Sequence, residues 1–391
     1  MMKFDFNGLI DRAGTHSVKW DYFDMKGEVE GMIPMSIADM DFHVPPFITD
    51  ALAKRVSHGI FGYTVVPGSY YEALERWLEK RFGWKVQREW IRFSPGVIPA
   101  LNFCVQTFTE PGDKVVIQPP VYHPFRAAIS NNARTVVNNP LKCASGHYSM
   151  DLDGLKSLID SRTKMIILAS PHNPVGRVWT RSELESLVEI CFDNNILIVS
   201  DEIHADLIMP GNKHIPTASV SDKAAKITIT CTSPSKTFNV AELHVANIII
   251  PDRELFERFD LALTKSGLNR PNILGLYATE AAYAHGERWV AELIPYLFEN
   301  YLAMKELFNS ELPKLRCSEM EGTYLGWLDF NGFGLPDAKV EEILLTKARV
   351  AMTPGRIFGP GGEGFYRMNL ACPKAVVEEA VRRIVEAFRG I

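Results

Sequence analysis

Short apolar runs alternate with longer segments of helical periodicity through the middle of the chain. Residues 180–194 show the helical spacing, with apolar side chains at Leu184, Leu187, Val188 and Cys191. The apolar runs are short and rich in β-branched residues, as buried strands are, and they are Lys114–Gln118, Met165–Ala169, Ile196–Ser200, Ile227–Cys231 and Ala246–Ile250. This alternation predicts βαβ units that build a mainly parallel, buried sheet, and therefore an α/β fold.

The length of the chain predicts more than one domain. Its 391 residues exceed what one simple core usually holds. We expect the sheet to belong to a large domain at residues 48–285. A long helical stretch at 278–308 then leads into a smaller α/β domain at residues 286–391, and an N-terminal arm, residues 1–47, packs with this smaller domain.

Composition and charge exclude several functional classes. The chain is 46% hydrophobic and 23% charged, with a net charge of −5, which is typical of a globular protein without affinity for nucleic acid or anionic membranes. The first residues, MMKFDFNGLIDRAG, predict neither a signal peptide nor a membrane anchor. Six scattered cysteines without a C-x-x-C pair indicate reduced thiols in a cytoplasmic protein, and the ten histidines lack metal-binding spacing, so we expect no metal site.

Four of the apolar runs are followed by side chains suited to one kind of chemistry. Tyr122, Asn173, Asp201 and Lys236 each come after a different run. Because ligands bind beyond the carboxyl ends of parallel strands, we expect these side chains to share one site. Each alone has an ordinary explanation, such as a core aromatic, a turn, a helix cap or a polar loop. Their arrival in this order is what indicates a site.

An aromatic ring, an amide, a carboxylate and an amine are what pyridoxal 5′-phosphate (PLP) requires. Lys236 is the predicted amine that bonds covalently to the cofactor, and Asp201 the carboxylate that keeps the pyridine nitrogen protonated. Tyr122 is expected to stack on the ring and Asn173 to donate to its phenolate oxygen. His204, from the same strand end as Asp201, is assigned to the cofactor site as well.

A phosphate cradle is predicted from two segments. Ser233 and Ser235 lie just before Lys236, and Gly96, Val97 and Ile98 precede a predicted helix at Pro99–Phe108. Free N–H groups and the positive dipole end of a helix suit an anion. A second glycine-rich segment, residues 359–364, matches G-x-G-x-x-G. The run after it (365–371) predicts a strand instead of the helix that a dinucleotide site needs, so we interpret it as a turn.

Motifs spread along nearly the whole chain carry a family resemblance. They are Val18-Lys19-Trp20-Asp21, Ile37-Ala38-Asp39-Met40-Asp41-Phe42, Gly62-Tyr63-Thr64, Ser94-Pro95-Gly96-Val97, Ser170-Pro171-His172-Asn173-Pro174-Val175-Gly176-Arg177, Asp201-Glu202-Ile203-His204, Ser233–Asn239, Glu321-Gly322-Thr323-Tyr324 and Tyr366-Arg367-Met368-Asn369-Leu370-Ala371. With these, the chain resembles the fold-type I PLP enzymes of the class I/II aminotransferase superfamily. Within it, the chain is most similar to the MalY/PatB group of cystathionine β-lyases and cysteine C–S lyases, including cystalysin.

The resemblance implies a large domain with a mainly parallel sheet sandwiched by helices, plus the smaller C-terminal domain. It implies that Arg367 grips the substrate α-carboxylate, although a surface salt bridge is the ordinary alternative. It also implies that Ala38, Asp39 and Tyr324, together with Asn173, line the substrate pocket. Tyr63 would reach the phosphate of the neighbouring subunit's cofactor, which implies a homodimer.

Three positions depart from the family pattern. Glu242 stands where the resembling lyases usually have glycine, so we expect strain in the loop beside the cofactor. His123 stands where some relatives have a second tyrosine. His244, eight residues after Lys236, stands where classical aminotransferases carry a phosphate-binding arginine, which favours the lyase group.

The resemblance implies β-elimination of a cysteine-type amino acid, such as L-cystathionine or a related S-conjugate, to pyruvate, ammonia and a thiol. Two alternatives stay open. One is an aminotransferase that uses the same site. The other is a regulatory protein that binds a partner and keeps residual PLP chemistry. The natural thiol substrate does not follow from the sequence.

Overall fold

A computed structural model describes residues 4–21 and 31–391. In these residues the strands are β1 (Ile33–Pro34), β2 (Ile91–Ser94), β3 (Lys114–Ile117), β4 (Thr135–Asn138), β5 (Lys142–Ala144), β6 (His147–Ser149), β7 (Thr163–Ala169), β8 (Leu197–Asp201), β9 (Thr228–Thr232), β10 (Ala246–Ile249), β11 (Arg316–Cys317), β12 (Leu325–Asp329), β13 (Val350–Ala351), β14 (Thr353–Pro354) and β15 (Phe365–Asn369). The helices are α1 (Pro46–Ser57), α2 (Gly68–Phe82), α3 (Val97–Phe108), α4 (Pro124–Ser130), α5 (Leu152–Leu158), α6 (Arg181–Asp193), α7 (Asp222–Ile227), α8 (Arg253–Lys265), α9 (Ile273–His285), α10 (Glu287–Glu311), α11 (Asp337–Ile343) and α12 (Lys374–Phe388).

The main sheet has seven strands in the order β2-β10-β9-β8-β7-β3-β4. The neighbours from β9 to β4 pair in parallel, whereas β10 runs antiparallel to both β9 and β2. All five predicted strands are present within one or two residues of their expected bounds. The prediction of a mainly parallel sheet in an α/β fold is therefore confirmed, with β10 as the exception.

Helices cover both faces of this sheet because successive strand residues point to opposite sides. Met165 and Ile167 of β7 pack into a core with residues of α3, α4 and α8. Ile166 and Leu168 of the same strand pack into a second core with the apolar stripe of α6. Helix α6 begins at a capping box in which Thr180 and Glu183 satisfy each other's backbone N–H groups.

A second sheet, antiparallel and in the order β11-β12-β15-β14, is formed by the C-terminal part of the chain. The N-terminal arm packs beside it, with the ring of Phe6 5.0 Å from Trp289 and 5.2 Å from Tyr296 of α10. Strand β1 pairs in parallel with β13. The domain boundaries at residues 47 and 285 stay a prediction.

The expected helical stretch at 278–308 is helical and consists of two helices, since α9 ends at His285 and α10 begins at Glu287. Gly286 lies between them, packed so closely that a Cβ there would fall 2.3 Å from the ring of Phe238. Residues 359–364 form a turn before β15, as expected. Among the helices described, none combines the length and the apolar character needed to cross a membrane.

Candidate active site

A cavity of about 360 Å³ opens at the carboxyl ends of β3, β7, β8 and β9. Parallel strands bring their carboxyl ends to one edge, so side chains far apart in sequence converge there. The residues that line it are Ala38, Pro95, Gly96, Val97, Ile98, Pro99, Tyr122, Ala169, Pro171, Asn173, Asp201, Ile203, His204, Ser235, Lys236, Ala241, Glu242 and His244. Tyr122, Asn173, Asp201 and Lys236, predicted to share a site, thus line one cavity.

Lys236 lies in the turn that follows β9. Its Nζ donates a hydrogen bond to the Ala38 carbonyl, at 2.7 Å. Burial and the positive charge of Arg367 lower the pKa of this amine to about 8, while the charges of Asp39 and Asp201 act in the opposite direction. A pKa of about 8 gives the amine a substantial neutral fraction near neutral pH, as a nucleophile or general base requires.

Asp201 is the last residue of β8 and is 6% exposed. One of its carboxylate oxygens accepts the backbone N–H of Ile203 at 3.2 Å. Burial raises its pKa to about 7, which the hydrogen bond from Ile203 and the charge of Lys236 only partly oppose. A buried carboxylate of this kind is stabilised as an anion when a cationic N–H faces it.

His204 also lines the cavity and is 4% exposed. Burial, together with the charges of Lys236 and Arg367, holds the pKa of its imidazole well below the usual value, so the ring is neutral. Within the described residues its Nδ1 has no hydrogen-bond partner. A buried nitrogen of this kind is suited to a ligand group that supplies the missing partner.

Asn173 and Arg367 meet although 194 positions separate them. Arg367 Nη1 donates to Asn173 Oδ1 at 3.0 Å, and Nη2 donates to the carbonyl of Ser36 at 2.9 Å. With its oxygen engaged in this way, the Asn173 amide presents its N–H₂ group as the remaining donor. Arg367 is 5% exposed and forms no salt bridge with the described residues, and burial lowers its pKa to about 10.

The segment before α3 forms a concave backbone wall. Gly96 has φ 125° and ψ 165°, a conformation that a side chain would strain. Val97 and Ile98 follow it as the first residues of a twelve-residue helix, whose first N–H groups have no partner within the helix. Ser235 lines the same cavity.

Ser233 is buried and does not line the cavity. Its hydroxyl donates to the carbonyl of Val245 at 2.6 Å and accepts the N–H of Ser235 at 3.1 Å. These bonds shape the turn that leads to Lys236. A direct phosphate contact from Ser233 stays a prediction.

The residues expected to line a substrate pocket are distributed unevenly. Ala38 lines the cavity, and the buried Tyr324 hydroxyl donates to the Ala38 carbonyl at 2.9 Å. Asp39 faces the adjoining cleft instead, where Arg12 Nη2 donates to its carboxylate at 2.8 Å. Tyr63 lies outside the cavity, with a fully exposed side chain.

The expected strain at Glu242 is absent. Glu242 lies in a short 3-10 turn, Ala241–Leu243, and the left-handed conformation occurs two residues later, at His244 with φ 48°. The exposed His244 pairs with Glu242 at 3.2 Å. His123 immediately precedes α4, with its ring 6.1 Å from that of Phe358.

The sequence did not predict a role for two asparagines whose side chains hydrogen-bond to the backbone of the segment that contains Ala38. Asn239 accepts the N–H of Met40 at 2.9 Å and donates to the carbonyl of Phe42 at 3.1 Å. Asn369 donates to the carbonyls of Ile37 and Asp39, both at 2.6 Å. A signal was available for Asn369, because residues two apart on a strand share a face and Asn369 follows Arg367 on β15.

These groups fit a flat, phosphorylated heterocycle. A buried carboxylate, an unpartnered imidazole nitrogen and a free amide donor occupy the walls. The glycine at position 96 leaves helix N–H groups accessible where a phosphate would be held. The donor set therefore matches PLP.

Comparisons with known proteins agree with this interpretation. Cystathionine beta-lyase PatB of Bacillus subtilis (strain 168) is 45% identical over 385 residues, which cover 98% of this chain and 100% of that protein. Protein MalY of Escherichia coli (strain K12) is 32% identical over 391 residues, covering 99% and 100%. The crystal structure of cystalysin from Treponema denticola, which contains a pyridoxal 5′-phosphate cofactor, matches with a TM-score of 0.96 at 36% identity and covers 99% of each chain.

The resemblance inferred from the motifs and the fold-type I α/β architecture are thereby confirmed. Residues 30–384 match the family described as aminotransferase class I and II. The chain belongs to the aminotransferase class I and II family.

Proposed function

We propose that this protein is a PLP-dependent C–S β-lyase. It cleaves a cysteine-type amino acid such as L-cystathionine and, with water, releases pyruvate, ammonia and a thiol. The observation that carries the proposal is the convergence of Lys236, Asp201, Asn173 and Arg367 at one buried site in a chain that is 45% identical to a cystathionine beta-lyase. The cavity's size and mixed polar lining suit a small amino acid and a cofactor.

PLP supplies an electron sink for the charge that develops when the substrate loses its Cα proton. Lys236 is the residue that would hold it covalently, and Asp201 is the carboxylate that would keep its ring nitrogen protonated. The Asn173 amide and His204 are the polar groups available to its ring substituents, and Tyr122 is the aromatic partner. Gly96, Val97, Ile98 and Ser235 are proposed to hold the phosphate, with Ser233 shaping the turn behind them.

Arg367 orients the substrate through its α-carboxylate. A planar guanidinium can donate two parallel hydrogen bonds to a carboxylate, and Asn173 and Ser36 already fix its plane. Its Nε has no partner among the described residues. Lys236, with its pKa of about 8, removes the Cα proton as general base.

Two features favour elimination over amino transfer. His244 stands at the position of the phosphate-binding arginine of classical aminotransferases, and it is exposed and paired with Glu242. Among the described residues of this chain, Arg367 is the arginine that hydrogen-bonds to a side chain lining the cavity, so the chain itself places no second guanidinium there for the distal group of a dicarboxylate. An elimination requires a leaving group on Cβ and no keto-acid acceptor.

The deciding experiment supplies L-cystathionine without any keto acid. We expect pyruvate, ammonia and thiol in equal amounts, with elimination exceeding amino transfer by at least about tenfold, or roughly 1.4 kcal/mol in barrier height. Lys236→Ala should abolish turnover, whereas the surface variant Lys223→Ala should not. Product formation that depends strictly on added 2-oxoglutarate or pyruvate would identify an aminotransferase instead.

We also propose that the working unit is a cytoplasmic homodimer. The loop between α1 and α2 exposes Ile60, Phe61, Tyr63 and Val65, and such a concentration of exposed apolar side chains is typical of an interface. Tyr63 does not line the cavity of its own chain. It is the residue proposed to reach the cofactor phosphate of the neighbouring subunit. All six cysteines are free thiols, which supports a reducing compartment.

A further inference from the structure

The motif at residues 18–21, which the proposed chemistry leaves without a role, lies against the motif at residues 37–42, which contains Ala38 of the cavity wall. Lys19, from residues 18–21, places Nζ 2.6 Å from Asp41 Oδ2 and 3.5 Å from Asp39 Oδ1, both in residues 37–42. The Lys19 side chain is 1% exposed and that of Asp41 is 7% exposed. Lysine is almost never buried so completely unless it is paired, and breaking such a pair leaves a charge without compensation.

Arg12 supplies a second cation to the same carboxylates. Its Nη1 donates to Asp41 Oδ1 at 2.6 Å and its Nη2 to Asp39 Oδ2 at 2.8 Å. Trp20 Nε1 donates to Asp41 Oδ1 at 3.0 Å. Two cations thus face two carboxylates, and we call Arg12, Lys19, Trp20, Asp39 and Asp41 the N-terminal latch.

The latch holds one side of residues 36–42, and active-site residues hold the other. Asn239 and Asn369 bind the backbone of this segment, and Arg367 binds the carbonyl of Ser36. Between them, the Ala38 carbonyl accepts hydrogen bonds from Lys236 Nζ at 2.7 Å and from Tyr324 at 2.9 Å. This carbonyl is therefore the point at which the segment touches the amine.

We propose that the N-terminal latch positions the Ala38 carbonyl so that the carbonyl orients the free amine of Lys236, which makes Lys19 a positioning residue for catalysis. The inference rests on the proposed role of Lys236 as the base. A carbonyl can only accept, so it fixes one N–H of the amine and thereby restricts the nitrogen lone pair to two of its orientations. Proton transfer depends on such alignment.

The latch also affects the charge balance around Lys236. Arg367 lowers the pKa of this amine, and Asp39 and Asp201 raise it. Lys19 lies beside Asp39 and offsets part of its charge. Removing Lys19 would leave the charge of Asp39 less compensated, so we expect the pKa of Lys236 to rise.

The test replaces Lys19 by the uncharged methionine in the full-length holoenzyme. At saturating L-cystathionine, Lys19→Met should lower kcat by about tenfold or more and enlarge the isotope effect from Cα-deuterated substrate, because proton removal becomes slower. Cofactor occupancy, measured by visible absorbance, should stay unchanged. In full-length protein stripped of cofactor, the pH midpoint for chemical labelling of the Lys236 amine should rise.

Arg12→Met is the second variant, since Arg12 is 21% exposed and its loss is easier for the fold to tolerate. Like Lys19→Met, this variant should lower kcat and raise the pH midpoint for labelling of the Lys236 amine. Lys114→Met is the matched control. Lys114 is also 21% exposed and forms a 2.6 Å pair with Asp160, but it lies at the start of β3, at the end of the strand away from the cavity. Lys114→Met should change neither kcat nor the labelling midpoint.

Lower melting temperatures with wild-type kcat and a wild-type labelling midpoint in both latch variants would overturn the proposal and leave the latch a purely structural contact. The labelling measurement does not depend on the reaction catalysed. It therefore decides the role of the latch even if the protein proves not to be a lyase.

Discussion

The pKa values of an acid and a base in the active-site cavity are moved toward each other. Burial raises that of Asp201 to about 7 and lowers that of Lys236 to about 8, because each loses hydration of its charged form. Their opposite charges offset only part of this cost. A carboxylate that requires a cationic partner and an amine that readily gives up its proton are what the proposed reaction uses.

The first consequence is a pH dependence of turnover. The amine is protonated, and inactive as a base, below its pKa, so kcat should rise as the pH increases through about 8. In Lys236→Ala supplied with a small alkylamine, the rise should move toward the ~10.4 of an unperturbed lysine-like amine. Steady-state rates across the pH range measure the profiles of the wild type and of the amine-supplied variant. A rise that stays near pH 8 with the added amine would show that another group controls it.

At the scale of elements, the N-terminus of α3 determines how an anion can be held. Gly96 adopts φ 125°, which turns the chain so that the first N–H groups of the helix border the cavity. A residue with a side chain is strained there by about 1–3 kcal/mol. The strain can be relieved only by rotating the backbone that forms the cradle.

Gly96→Ala should therefore weaken PLP binding by about tenfold or more, in addition to lowering stability. Gly112→Ala is its control, because Gly112 also has a positive φ, 91°, in a turn before β3 where a Cβ would meet nothing. The dissociation constant for PLP and the melting temperature should be measured for both. Equal loss of PLP affinity in the two variants would contradict a specific role for Gly96.

At the scale of the whole molecule, the exposed loop between α1 and α2 is the feature that a single chain does not explain. The neighbouring groove between α1 and α9 is lined by Lys54, Arg55 and Tyr277, and the Arg55 guanidinium lies over the rings of Phe61 and Tyr277. A second copy of the chain would remove these apolar surfaces from water.

Mixing two variants, each of which lacks a different part of the proposed shared site, tests this assembly. Tyr63→Phe and Lys236→Ala each damage a different half of the proposed shared site, so a heterodimer contains one intact site. Random mixing should restore about a quarter of wild-type activity at limiting PLP. Unmixed samples serve as controls. A PLP-saturated monomer with full activity would refute the shared site.

The sequence predicted the strands well because buried parallel strands are continuous apolar runs. It did not locate the break at Gly286 between α9 and α10, where the chain packs so closely against Phe238 that a Cβ would clash with the ring. It also predicted strain at Glu242 that the structure lacks, since the left-handed residue is His244. Local pattern does not specify which residue of a short loop takes the unusual conformation.

What the sequence determined by itself was the α/β fold, the family and the strand-end residues Tyr122, Asn173, Asp201 and Lys236. The fold and the strand-end residues follow from local periodicity and from the rule that ligands bind at one edge of a parallel sheet, whereas the family follows from the resemblance of motifs spread along the chain. Only the tertiary structure decided that Arg367 fixes Asn173 and that Lys19 pairs with Asp41. Such contacts join segments that are distant in sequence, and their charges become decisive only because folding removes them from water.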